Sequence, residues 1–161
     1  MLVALLLSGP AIAQDWTPYG GLMLGSAHIG NDDLNGFNPG VTLGWRAPLA
    51  EDWEQAVEVG VFYNSYEEVA PFVAYAATYD VGEIVSDVRL RVGPLAAIAR
   101  YADLAPRLED SYGIPNVEGF IPVVGLMTQV RVQERTDLRL ITVPPGDDAD
   151  LILAFTVART F

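Results

Sequence analysis

The sequence predicts an all-β fold, an eight-stranded antiparallel up-and-down transmembrane β-barrel. Three observations predict it. Apolar and polar or small residues alternate with period two from Tyr19 onward. The chain is 51% hydrophobic, with a mean hydropathy of +0.27, although it carries 21 acidic residues. No stretch reaches the ~20 unbroken apolar residues of a membrane helix. An apolar, charged chain without such a stretch fits a barrel whose outer face meets lipid.

The first residues, MLVALLLSGPAIAQD, read as a leader. Leu2 to Leu7 form a short apolar run, Gly9 and Pro10 break it, and Ala11-Ile12-Ala13 supplies a small-x-small cleavage site. Residues 1–13 are therefore expected to be a signal peptide, and 14–161 a single barrel domain. The leader lacks a basic start, as if truncated. The alternative is a short buried helix.

Eight strands are expected, near 19–28, 39–48, 55–64, 71–80, 84–101, 119–131, 137–143 and 150–161. In the second, Val41, Leu43 and Trp45 share one face, and Thr42, Gly44 and Arg46 the other. In the third, Val57, Val59, Val61 and Tyr63 oppose Glu58, Gly60, Phe62 and Asn64. In the fifth, Val88, Leu90 and Val92 alternate with Asp87, Arg89 and Arg91, and Gly93-Pro94 predicts a bend or bulge. The last strand puts Leu151, Leu153, Phe155 and Val157 opposite Ile152, Ala154, Thr156 and Ala158.

One face is thus bulky and apolar, the other small or charged. A narrow barrel can fill its interior with small residues and paired charges. Arg46, Glu58, Asp87, Arg89 and Arg91 are expected to form an internal, structural ion-pair network. Trp16, Trp45, Trp53, Tyr19, Tyr63 and Tyr101 fall near strand ends and are expected to form aromatic girdles. Ala99 to Leu108 is expected to hold at most a helical turn, limited by Pro106.

The connections alternate. Long loops follow strands one, three, five and seven. The short turns PLAEDW, VGE and QERTD follow two, four and six. Outer-membrane barrels keep long loops outside and short turns in the periplasm. The chain ends on Phe161 after an alternating strand. A terminal aromatic there resembles the signal read by the bacterial barrel assembly machinery.

Composition narrows the function. There are no cysteines, which excludes disulfides and thiolate metal sites. A net charge of -12 argues against nucleic acid as a partner. No cofactor and no metal are expected. The carboxylates of Asn31 to Asp33 and Gly146 to Asp150 lack the spacing of a cation loop and read as solvated. His28 is the sole histidine.

Three patterns carry a family resemblance: SAHIGNDDLNGFNPGVTLGW, GVFYNSY and LRLITVPP. They resemble a family of small envelope barrels of bacteria and their phages, largely without assigned function. In that family a His closes the first strand, Asn-Pro-Gly opens the second, and Tyr-x-Asn-Ser-Tyr ends the third. Here these are His28, Asn38-Pro39-Gly40 and Asn64-Ser65-Tyr66. The layout also resembles that of lipid A palmitoyltransferase, an eight-stranded outer-membrane enzyme with a His in its first outer loop and an Asp-Ser pair in its second. The resemblance implies an acyl transfer with His28 as general base, Ser65 as acceptor or stabiliser and Asn64 as amide donor to an oxyanion. This sequence departs in carrying Asn64 where that enzyme has Asp. Strict alternation turns Asn64 inward and Ser65 outward, and puts His28 on the lipid face with Leu22 and Leu24. The bland alternative is an Asn-Ser turn capping a strand.

The main expectation is a structural or surface-interacting barrel in the bacterial outer membrane. It is expected to be monomeric, in contact with membrane lipid or lipopolysaccharide. Its alternatives are a lipid A acyltransferase or deacylase at the outer rim, and a secreted lipocalin-like barrel with its faces reversed.

Overall fold

A computed structural model describes residues 15–31, 33–144 and 150–161. The leader and most of the GDDAD segment lie outside these residues. The strands are β1 (Thr17–Ile29), β2 (Gly40–Ala50), β3 (Trp53–Tyr63), β4 (Val69–Val85), β5 (Val88–Arg100), β6 (Phe120–Val132), β7 (Thr136–Val143) and β8 (Leu151–Thr160). Each pairs antiparallel with its sequence neighbour, and β8 closes onto β1. The closed up-and-down barrel is the expected fold. Closure removes the exposed edges that an open sheet would leave.

The expected orientation holds. Leu22 is 54% exposed, and Val41, Leu43, Val59, Val61, Val73, Val124, Leu126 and Phe155 are exposed around the wall. Buried Arg46, Arg91, Gln129, Arg131, Asp137, Arg139 and Thr156 occupy the opposite phase of the same strands. Apolar surface in contact with water costs roughly 25 cal/mol per Å². This exterior is therefore built for an apolar surrounding, and the reversed, lipocalin-like packing is not the one adopted.

The interior is filled in layers. Toward the short turns, Asp137 accepts ion pairs from Arg46 at 3.1 Å, Arg131 at 2.7 Å and Arg139 at 3.6 Å. Glu54 holds Arg131 at 2.7 Å, and Glu58 holds Arg139 at 2.8 Å. Tyr19 lies in this layer too, its ring under the Arg139 guanidinium at 4.6 Å. Glycine at 44 makes room for that ring: a Cβ there would stand 2.3 Å from the Tyr19 ring. Higher in the barrel, Phe62 meets Phe72 and Tyr101 edge-to-face. Between the layers is a cavity of about 20 Å³. That is space for a water, not for an acyl chain.

Several expectations need correction. The β4–β5 turn is not VGE: β4 runs on to Val85, and the chain reverses at Ser86-Asp87, with Asp87 in the left-handed region at φ 63°. Asp87 is therefore exposed and outside the ion network. Asp80 takes its place, holding Arg91 at 3.1 Å and the more exposed Arg89 at 2.9 Å. Tyr19 is buried and Tyr101 packs inward, so neither belongs to a girdle, whereas Trp16, Trp45, Trp53 and Tyr63 are exposed. The helix of the β5–β6 connection, α1, spans Ala105–Tyr112, later than expected, with Pro106 in its first turn, where a missing N–H costs nothing. Leu108 of α1 packs on the inward-facing Ile121, so this loop folds over the barrel mouth. At Gly93-Pro94 the β4–β5 register is unchanged on either side. No bulge sits there, and Gly93 serves a close approach: a Cβ would lie 1.9 Å from the Ala77 carbonyl oxygen.

Candidate functional site

The long-loop rim brings two of the three expected residues together. His28 Nε2 lies 2.8 Å from Ser65 Oγ. The cause is a β-bulge that period-two counting misses. Between Met23 and Gly25 the β1–β8 register slips by one residue at Leu24. Every later side chain of β1 then changes face. Ser26 and His28 turn inward, while Ala27 and Ile29 point out. Without the slip His28 would share the outer face of Leu22.

Ser65 arrives from the β3–β4 turn. Asn64, 0% exposed, builds that turn. Its Oδ1 accepts the Tyr66 N–H at 2.9 Å and the Glu68 N–H at 3.0 Å, an Asx-type turn. Its backbone N–H donates to the Glu68 carbonyl at 2.8 Å, and Glu67 takes φ 63° to close the reversal. The Asn64 Nδ2 donates to the Glu68 carboxylate at 3.4 Å rather than toward Ser65. The same carboxylate accepts the Ala102 N–H at 3.0 Å, tying the turn to the loop that carries α1. Asn64 thus positions Ser65 and does not reach it.

Two further residues complete the cluster. Ser26 Oγ lies 3.3 Å from His28 Nε2 and donates to Asn38 Oδ1. Asn38, buried just before β2, donates from Nδ2 to Ser65 Oγ at 3.4 Å and to the Asn35 carbonyl at 3.2 Å. Asn38 therefore holds the amide position that the sequence suggested for Asn64. The sequence signals were Ser26, in the same phase as His28, and Asn38 of the Asn-Pro-Gly element.

Chemically this is a serine hydroxyl facing an imidazole nitrogen. The neutral ring is the form able to accept the Ser65 proton. Among the described residues no carboxylate hydrogen-bonds to His28; its side-chain partners are Ser26 and Ser65. Among the described residues the pair is a dyad, without the acid that orients imidazole in a triad. The rim also holds no group of three His, Cys, Asp or Glu suited to a metal ion among the described residues.

No protein-family model and no curated protein matches the chain. Solved structures do. Neisserial surface protein A aligns over 91% of this chain and 96% of its own, at 15% identity and a TM-score of 0.50. The N-terminal β-barrel domain of Pseudomonas aeruginosa OprF aligns over 90% and 98%, at 12% identity and a TM-score of 0.48. The Yersinia pestis outer membrane protein Ail aligns over 90% and 99%, at 11% identity and a TM-score of 0.45. The likeness to the neisserial barrel supports the eight-stranded fold and nothing finer.

Proposed function

We propose that this chain is an outer-membrane β-barrel of structural or surface-interaction type. One observation carries the reading: bulky apolar side chains cover the outer wall while ion pairs and small residues fill the inside. Such a wall needs lipid around it, and a barrel that displays it spans a bilayer. The long loops then face outward, toward lipopolysaccharide and the surroundings. The last barrel strand, β8, engages the assembly machinery, and the protein works as a monomer. The filled interior supports a role other than conduction. The test is refolding. The purified chain should fold in detergent or vesicles, run on unheated gels as a heat-modifiable compact band, and sediment as aggregate without amphiphile. A folded monomer in plain buffer sinks the proposal.

A second reading rests on the 2.8 Å contact between His28 and Ser65. In it the rim performs acyl transfer or deacylation on lipid A, with His28 as base, Ser65 as the attacked or attacking hydroxyl, Asn38 as nearby amide and Asn64 as the residue that positions Ser65. Mass spectrometry of lipid A from expressing cells tests it. A gain or loss of one acyl chain, abolished by both His28→Ala and Ser65→Ala, is the expected result. An unchanged lipid A profile removes this substrate, and a change that survives both substitutions removes these residues.

A further inference from the structure

The cavity between the ionic and aromatic layers is polar on one side, and two of its donors lack partners. Gln129 is 2% exposed, and its Nε2 makes no hydrogen bond among the described residues. Arg139, also buried, spends Nη1 on Glu58 and Nη2 on Asp137, but its Nε is unpartnered among the described residues. These two residues are not scattered. They stand directly opposite each other on β6 and β7, and both line the cavity. Glu54 and Glu58 line it as well.

A buried donor without an acceptor costs about 1–3 kcal/mol, more when it is charged. Two such donors lining one void point to a shared acceptor. Its size is bounded by the space. The volume of about 20 Å³ exceeds the roughly 10–15 Å³ that one water needs and excludes an organic ligand. Its charge is bounded by the neighbours. Glu54 and Glu58 on the cavity wall are balanced by Arg46 and Arg139, so the wall calls for no net charge in its occupant, and the carboxylates accept hydrogen bonds from a neutral molecule.

We propose that an ordered water molecule is an integral part of this barrel core. It accepts from Gln129 Nε2 and Arg139 Nε and donates to a wall carboxylate, joining β6 and β7 to the ion network of β3. Gln129 is then a ligand of this water rather than a filler of the wall.

The test is a crystal structure of the refolded barrel at a resolution that shows waters, with a bromide-soaked crystal beside it. The expected result is one peak within hydrogen-bond distance of both Gln129 Nε2 and Arg139 Nε, without anomalous signal after the soak. In Gln129→Met, which keeps volume and removes the donor, the peak should be lost while the barrel still shows its heat-modifiable band. A dry cavity in the unaltered protein overturns the proposal. So does a bromide signal, which would mean an anion, or a peak that persists in Gln129→Met.

Discussion

Replacing Asp137 by Asn should be the most damaging single-atom change in this protein. Asp137 is 1% exposed and is contacted by three guanidinium groups, those of Arg46, Arg131 and Arg139. Against these three positive charges stand three carboxylates, Asp137, Glu54 and Glu58. The substitution keeps the volume but leaves one unbalanced positive charge, and it turns an amide N–H toward arginine donors. The arginine side chains involved are only 4–9% exposed, so solvent screening is weak. Removing one partner of a buried pair costs about 3–5 kcal/mol. At about 1.4 kcal/mol per tenfold, that is a shift of roughly a hundredfold to a few thousandfold in the folded-to-unfolded ratio. The assay is reversible denaturant unfolding in vesicles, followed by tryptophan fluorescence. Asp87→Asn is the control, since Asp87 is exposed at a turn, and it should change stability by less than about 0.5 kcal/mol. A loss below about 1 kcal/mol for Asp137→Asn, the range of surface pairs, would refute the view of a sealed ionic core.

Other outcomes follow from the same structure. Val59→Arg, on the exposed apolar wall, should cost about 2–4 kcal/mol in vesicles if that residue lies near the bilayer midplane; a neutral result there would contradict the lipid-facing assignment. Gly93→Ala drives a methyl to within 1.9 Å of the Ala77 carbonyl and should destabilise by about 1–3 kcal/mol or more, read as a lower denaturation midpoint; an unchanged midpoint would show that β4 and β5 separate freely.

The strand count, the strand order and the inside-outside sense were legible because each rests on local repetition. Val41-Leu43-Trp45 and Val57-Val59-Val61 announce their faces two residues at a time, and strands joined alternately by short turns and longer loops pair most simply with their sequence neighbours. The ion network was legible only by type. Arg46 and Glu58 declared inward charges, but Asp137, Glu54, Arg131 and Arg139 found their places through the tilt and stagger of strands 77 to 91 residues apart in sequence. The reversal at Ser86-Asp87 carries neither Gly nor Pro, unlike VGE, yet a left-handed Asp reverses the chain as well.

The amino-acid order by itself determined an all-β chain with an oily face and an ionic face, and it supplied His28 and Ser65 to the same rim. Only the closed structure decided that they touch. The bulge at Leu24 reverses the facing of everything after it in β1, and a one-residue slip leaves no mark on a hydropathy pattern that reads Leu22, Leu24 and then small residues. Likewise Asn64 and Asn38 are the same side chain in sequence terms. The hydrogen-bond partners that tertiary contact provides make one the keystone of a turn and bring the other to the hydroxyl of Ser65.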